Sequence, residues 1–369
     1  MVQRILPPYR VPLFQRLAGS AALSVAVACG DADPRAALRS VTTVPGLEVV
    51  RLRNWHPWSG NAWVVQRGLL GALRQRRPRA VIAEFNPRIV SNLAALGYAR
   101  LTGLPFLWWG HGLSPTSGRF ARRVRAWLAR RADGVILYDA AQVRALVGLG
   151  VPADQLIVAP NAIDTEAIAG LAAPWEAGPR PLVLYVGRLI RAKKVALLIE
   201  AFASALPRLP AGTQLMIIGD GAERTALERL AGARGVSAAV TFTGEVLDEV
   251  RLAPLFNRAW VSVSPGYVGL AAIHSLAYGV PLVIAADEPH SPEIGAVEAG
   301  INARLVPSDA PAALAAALID LAGDADRLAA MSAAGRRTVG EGYSLTGMVA
   351  AFEAAVERAS ASRRRQASP

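Results

Sequence analysis

The second half of the chain alternates short apolar runs with longer segments of helical period. Runs rich in apolar residues at 182–186, 214–218, 240–243, 260–263, 282–285 and 303–306 predict strands. Between the first two, Val195, Leu198, Ile199 and Phe202 recur at i, i+3, i+4 and i+7, which predicts a helix with one buried face. Such alternation predicts a parallel sheet with right-handed crossovers, whose ligands sit at the C-terminal strand ends. The first half repeats the pattern less regularly, with strands expected at 23–28, 47–52, 80–84, 106–109, 134–138 and 156–158. Leu345, Val349, Phe352 and Val356 form a stripe that predicts a last helix over 344–358, ahead of a disordered basic tail at 359–369. The segment from Pro174 to Pro181, with three prolines and Gly178, reads as a linker, so the expected domains are 1–173 and 181–340.

Composition narrows this picture. A chain of 369 residues suffices for two domains of ordinary size. Its longest uncharged stretch, 259–286, is broken by Pro265, Gly266, Gly269, Gly279 and Pro281, and reads as strand, helix and strand rather than a membrane span. The opening residues lack a long apolar core, so no signal peptide is expected. A single cysteine, Cys29, excludes an internal disulfide and fits a reducing cytoplasm. Residues 1–170 hold 21 arginines, no lysine and nine acidic residues, which accounts for the whole net charge of +12. Such a field draws that half toward anionic partners, a lipid surface or a lipid-pyrophosphate acceptor. The alternative is a solvated basic surface. The chain has no nucleic-acid recognition module, so a nucleic-acid partner is not expected.

Two segments of the second half could hold an anion. After the run at 260–263 comes Ser264-Pro-Gly-Tyr-Val-Gly-Leu270, then helical spacing, then Gly279-Val-Pro. Gly266 and Gly269 permit close backbone approach, and amides near Leu270 at the helix start favour a phosphate. After the run at 182–186 come Gly187-Arg188-Leu and then Lys193-Lys194. A guanidinium fork and an ammonium at one strand end can grip a diphosphate together. Gly219-Asp-Gly221 lacks the third glycine of a dinucleotide fingerprint and reads as a structural turn.

These residues resemble glycosyltransferase family 4, the retaining sugar transferases of the GT-B fold. The string Val186-Gly-Arg-Leu with Lys193 is similar to the family's Val-Gly-Arg-Leu, three residues, Lys-Gly motif, with Lys194 in place of the glycine. Pro160-Asn161-Ala-Ile-Asp164 is similar to the family's Pro-Asn-Gly-Ile-Asp hinge. The family usually carries two glutamates after the glycine loop, and on that frame they fall on Gly266 and His274. The reading Gly-Leu, Ile-His, Ala-Tyr-Gly is similar to a variant subgroup of bacterial polysaccharide enzymes. The resemblance implies an α/β chain of two Rossmann-like parallel-sheet domains facing across a cleft, the second binding a nucleotide-diphosphate sugar. It implies catalytic roles for His111, Arg188 and Lys193. Donor binding falls to Gly187, Gly266, Tyr267, Val268, Gly269, Leu270 and His274; Glu293, placed after the run at 282–285 at the ligand end of the sheet, is expected from its own position to supply the sugar contact that Gly266 lacks. The last helix is expected to cross back onto the first domain.

In the first half, Trp108-Trp-Gly-His111-Gly places a histidine at a strand end, where a neutral imidazole can take a proton from an acceptor hydroxyl. Pro8-Tyr9-Arg10 resembles the acceptor-facing loop of related enzymes, and Glu84 and Asn86 read as cleft residues or as turn caps. Between Arg119 and Arg131 an amphipathic pattern groups Phe120, Val124, Trp127 and Leu128 on one face, suited to a membrane surface or to the domain's own sheet. The strings Asp31–Asp33 and Asp324–Asp326 are too short to argue for a metal, so no metal or cofactor is expected. The functional expectation is a retaining, metal-independent transfer from a nucleotide-diphosphate sugar to a glycan or lipid-linked acceptor in bacterial polysaccharide or glycolipid synthesis. It is set in the cytoplasm, peripheral to the inner membrane face. The alternative is a GT-B chain that only binds nucleotide-sugar or glycan.

Overall fold

The computed structural model describes residues 1–31, 40–57, 63–113, 118–175 and 180–367. The chain forms two compact units, Met1–Pro160 with Leu345–Pro369, and Asn161–Ser344. The division falls after Pro160, earlier than the linker expected near 174–181, because Asn161 and the helix Thr165–Leu171 pack within the second unit.

The first unit is built on strands β1 Val2–Gln3, β2 Ala26–Gly30, β3 Glu48–Trp55, β4 Val65–Arg67, β5 Val81–Glu84, β6 Phe106–Gly110, β7 Gly134–Leu137 and β8 Leu156–Val158. Their order is β4-β3-β2-β1-β5-β6-β7-β8, parallel except for the β3–β4 pair. Two of these strands escape a pattern reading. β1 is two residues long, and β4 is held by polar contacts: the buried Gln66 amide donates to the Gln3 carbonyl at 2.9 Å and to Asn54 Oδ1 at 3.2 Å. In β6 the two tryptophans face opposite ways. Trp108 stacks on Phe85, while Trp109 meets Phe14 and Phe352 edge-on.

The last helix belongs to this first unit and spans Leu345–Ala367, so most of the tail expected to be disordered is helical. Ala359 is buried and Arg363 pairs with Asp133 at 2.7 Å, which carries the helix past residue 358. Its buried stripe is Leu345, Met348, Phe352, Ala355 and Ala359; Val349 and Val356 stand at the edge.

The helix Arg119–Arg130 also sits differently from expectation. It packs through Ala126, Leu128 and Ala129, and leaves Phe120 81% and Trp127 46% exposed. Small side chains let a helix approach its sheet closely, so the alanines rather than the aromatics take the buried face. Arg131 lies 3.6 Å over the Trp127 ring.

The second unit carries β9 Leu182–Val186, β10 Gln214–Ile218, β11 Val240–Gly244, β12 Ala259–Ser264, β13 Leu282–Ala285 and β14 Ala303–Val306, all parallel, in the order β11-β10-β9-β12-β13-β14. Alternate strand residues feed two cores. Val183, Tyr185, Leu215, Ile217, Val261 and Val263 join the helices Val195–Ala205 and Pro311–Ala322. Leu182, Leu184, Ile218, Leu282 and Ile284 join the helices Glu249–Asn257 and Ala271–Ala277 on the other face. Burial on both faces is why these strands read as continuous apolar runs. The strand order reverses between β9 and β12, and ligands of open α/β sheets bind at such a point. Among the described residues no helix is long and apolar enough to cross a membrane.

Candidate functional site

The segments that leave β9 and β12 flank the reversal point of the second sheet. After β9 the chain turns through Gly187 at φ +154°, whose amide donates to the Ile218 carbonyl at 2.9 Å. The turn after β10 locks against it. A Cβ on Gly219 would stand 1.9 Å from the Gly187 carbonyl oxygen, and one on Gly221 would stand 2.3 Å from that of Leu189. The Gly-Asp-Gly turn is therefore structural: it lets two backbone turns touch.

That packing presents Arg188 and Lys193. Arg188 is exposed, and its guanidinium makes no hydrogen bond among the described residues. Lys193 Nζ donates to the Tyr267 carbonyl at 2.7 Å and lies 4.5 Å from the Tyr267 ring centroid. Burial first, and the Arg188 charge second, push its ammonium down to about 8, against a smaller opposing effect of Glu293. Two cations at one strand end can together hold an anion.

Lys194 occupies the glycine position of the motif with φ +51°. A left-handed residue of this kind costs about 1 kcal/mol. Its side chain offsets the cost by donating to Glu288 at 2.6 Å and Asp309 at 2.8 Å.

The loop after β12 departs from expectation. Gly266 is buried against protein: a Cβ there would stand 2.6 Å from the Ala192 carbonyl oxygen and 2.9 Å from the Lys193 carbonyl carbon. Its close approach is to the Lys193 turn, where a ligand had been expected. The amide of Tyr267 donates to that Ala192 carbonyl at 3.1 Å, and the amide of Val268 to His290 Nδ1 at 3.1 Å, so neither is free for a phosphate. Gly269 and Leu270 have no acceptor for their amides among the described residues.

His290 was not singled out in the sequence. Its Nε2 donates to the Ala285 carbonyl at 2.8 Å while Nδ1 accepts from Val268, an arrangement that fixes the neutral ring and ties β13 to the glycine loop. Burial lowers its pKa and keeps it neutral, despite opposing contributions from Ala285 and Glu288. The Tyr267 hydroxyl also bonds Ser291 Oγ.

Glu293 lies in the short turn Pro292–Ala296 after β13 and is 4% exposed. Oε1 accepts from Asn161 Nδ2 at 2.6 Å; Oε2 is buried with no partner among the described residues. A Cβ on Gly269 would stand 3.8 Å from that oxygen. Asn161, read in the sequence as a hinge residue, thus positions a carboxylate 132 residues away.

His274 is engaged elsewhere. Its Nε2 meets Glu249 Oε1 at 2.8 Å, and the ring packs on Phe256 and Tyr278. Burial works against the Glu249 charge, but the bonds from His274 and Tyr278 outweigh it and hold the carboxyl below its usual range. Only Nδ1 of His274 is left for any ribose contact.

In the first unit, His111 follows β6 at Gly110, where φ is +144°. Arg125 Nη1 donates to the His111 carbonyl at 3.0 Å and to that of Gly112 at 3.2 Å. The residue as a whole is exposed, yet its ring packs edge-on against Tyr138, centroids 4.9 Å apart. Desolvation, then the charges of Arg10 and Arg125, lower its pKa, so it is a neutral imidazole able to accept a proton. Arg10 lies 4.4 Å over the Trp109 ring and donates to the Tyr138 hydroxyl at 2.9 Å and to Gln3. Tyr9 is 41% exposed beside it. The structure thus gathers Tyr9, Arg10 and His111, with Arg125 and Tyr138 added.

Glu84 and Asn86 serve the backbone instead, accepting from the amides of Arg4 and Arg88. Asp324 caps the helix Ala325–Gly342 through the Arg327 amide, and Asp33 lies outside the described residues. Among the described residues no group of three His, Cys, Asp or Glu side chains is disposed to hold a metal.

Comparisons with known proteins follow this division. Residues 9–162 match the family described as glycosyl transferase 4-like domain, and residues 180–324 match glycosyl transferases group 1. A relative in Mycobacterium tuberculosis, GDP-mannose-dependent alpha-(1-6)-phosphatidylinositol monomannoside mannosyltransferase, is 32% identical over 234 residues, 58% of this chain and 60% of that one. The alpha-D-kanosaminyltransferase of Streptomyces kanamyceticus is 48% identical over 82 residues, 22% of this chain and 21% of that one. The matches thus span between 21% and 60% of these two relatives' lengths. Among solved structures, HepE of Anabaena in complex with UDP superposes with a TM-score of 0.71 at 17% identity, over 96% of this chain and 98% of that one. Sucrose-phosphate synthase from Thermosynechococcus elongatus gives 0.70 at 21% identity, over 95% and 92%. At these identities the structural likeness speaks for the fold.

Proposed function

The chain belongs to the glycosyltransferases of the GT-B fold, and from that premise we propose that it moves a sugar from a nucleotide-diphosphate sugar to a glycan or lipid-linked acceptor with retention of configuration. The observation that carries this reading is the Arg188–Lys193 pair at the reversal point of the second sheet, two cations held together there. There they stabilise the diphosphate as it leaves, the task a metal ion performs elsewhere, which supports a metal-independent reaction. His111, neutral and carried at the end of β6, is the residue proposed to act on the acceptor hydroxyl. The relative that acts on a phosphatidylinositol mannoside supports a lipid-linked acceptor in glycolipid or polysaccharide synthesis.

The test is thermal stability against UDP, GDP, ADP and dTDP without metal, for wild type and Arg188→Ala. One diphosphate is expected to stabilise the wild type, with a shift set by ligand concentration over Kd. Loss of a charged hydrogen-bonding partner costs about 1.5–3 kcal/mol, so Arg188→Ala requires roughly tenfold to a hundredfold more ligand for the same shift. Equal shifts in both proteins would remove Arg188 from the site.

The first unit carries a second surface suited to this setting. Phe120 and Trp127 project from the helix Arg119–Arg130, among the exposed Arg119, Arg122, Arg123 and Arg131, and the helix contains no acid. Aromatic side chains between arginines fit the headgroup region of an anionic bilayer and support a peripheral location at the cytoplasmic membrane face. Wild type is expected to sediment with phosphatidylglycerol vesicles at low salt, and Phe120→Ser with Trp127→Ser to lower the bound fraction roughly tenfold. Unchanged sedimentation of the double variant would exclude this helix as the contact.

A further inference from the structure

Glu293 is a charged side chain 4% exposed, with one oxygen held by Asn161 and the other buried without a partner among the described residues. Among the described residues nothing in the second unit uses that second oxygen. It lies against Gly269 of the loop after β12, and Lys193 is near enough to feel the Glu293 charge. The chemistry of a carboxylate restricts what can fill the gap. It accepts hydrogen bonds and repels phosphate oxygens, so its partner is a neutral or cationic donor adjacent to the diphosphate. In a nucleotide-diphosphate sugar those donors are the hydroxyl or amino groups of the sugar ring.

The loop after β12, Ser264 to Leu270, contains no acidic residue and cannot supply this contact. Gly266 faces the Ala192 carbonyl at a distance that excludes even a methyl group. We infer that Glu293, positioned by Asn161, reads the sugar of the donor and thereby sets which nucleotide sugar the enzyme accepts. This rests on the donor-site reading of Arg188 and Lys193. The turn after β13 that carries Glu293 and the loop after β12 both lie at C-terminal strand ends of one sheet. Asn161 holds the carboxylate through Oε1 and leaves Oε2 to the ligand.

The experiment is calorimetric titration with UDP, GDP and their glucose, galactose, mannose and N-acetylglucosamine conjugates, in wild type, Glu293→Gln and Asn161→Ala. Wild type is expected to bind one nucleotide sugar more tightly than its diphosphate alone. In Glu293→Gln that sugar increment falls roughly tenfold to a hundredfold while diphosphate affinity stays within about twofold. Asn161→Ala, which loosens the carboxylate without removing it, lowers the increment by about threefold. Glu293→Asp keeps the charge but withdraws the oxygens by one carbon. It is expected to lose the increment as well, and it supplies the reading if the glutamine variant does not fold.

Three outcomes count against the inference. An undiminished sugar increment in Glu293→Gln and Glu293→Asp overturns it. Equal loss of sugar and diphosphate binding makes Glu293 a prop for the glycine loop and overturns it too. Absence of diphosphate binding in wild type overturns the donor-site reading first, and this inference with it.

Discussion

Replacing Lys193 with alanine lowers kcat about 100- to 1,000-fold, the scale expected when one preorganised group facing developing charge is removed. The same variant loses a feature of the wild-type pH profile. In the ligand-free protein the Lys193 ammonium is lowered to about 8, by burial first and by Arg188 second. The profile of kcat/KM reports the free enzyme, so it is expected to fall as pH rises through about 8, where Lys193 loses its charge and its grip on the diphosphate. The profile of kcat reports the bound state. A diphosphate beside the ammonium raises its pKa, so the fall in kcat moves to higher pH. Arg188→Ala removes a like charge and shifts the kcat/KM limb upward, though its absolute rate is lower. The folding linkage runs the other way. Between about 8 and 10.5 the unfolded chain holds more protons at this lysine than the folded chain, so the ligand-free protein gains stability across that window as pH rises. Bound diphosphate flattens the gain. A kcat/KM profile level to pH 9.5 in wild type would place Lys193 outside the donor site.

The second unit was legible because its central strands β9, β12 and β13 are buried on both faces and end in turns with their own chemistry. The runs read from apolarity alone fall within a residue or so of β9 to β14, and Arg188 and Lys193 stand beside the reversal point that alternation implied. What escaped notice depends on contacts distant in sequence. Asn161 meets Glu293 across 132 residues, and His290 joins β13 to the glycine loop through two backbone groups. No local pattern marks either. Helix faces were misjudged for another reason. A helical period identifies an apolar stripe but not its centre, and small residues shift that centre toward themselves. In Arg119–Arg130 the centre moved to Ala126 and Ala129, and in the last helix to Ala355 and Ala359. In the first unit β1 and β4 are too short to show a period, and β4 is specified by the polar contacts of Gln66.

Placing a glutamate where the family resemblance expects one, by Gly266→Glu, is expected to damage the protein rather than improve it. A Cβ at this position meets the Ala192 carbonyl oxygen at 2.6 Å, the Lys193 carbonyl carbon at 2.9 Å and its oxygen at 3.0 Å. All three are backbone atoms of the turn Arg191–Lys193, so no side-chain rotation relieves the clash. Overpacking of this kind costs about 1–3 kcal/mol, which lowers Tm by roughly 2–10 °C for a domain of this size. The displaced turn is the one that carries Lys193. Diphosphate affinity should therefore fall together with stability, and Gly266→Ala, which adds only the clashing carbon, should reproduce most of both effects. The comparison separates two meanings of the missing glutamate. If Gly266→Glu keeps its Tm and binds donor more tightly than wild type, the loop has room and the glycine marks a lost contact. If both variants lose stability and diphosphate together, the glycine is what allows the loop after β12 to seat against the lysine turn. A carboxylate for the sugar must then come from elsewhere in the same unit, which is where Glu293 stands.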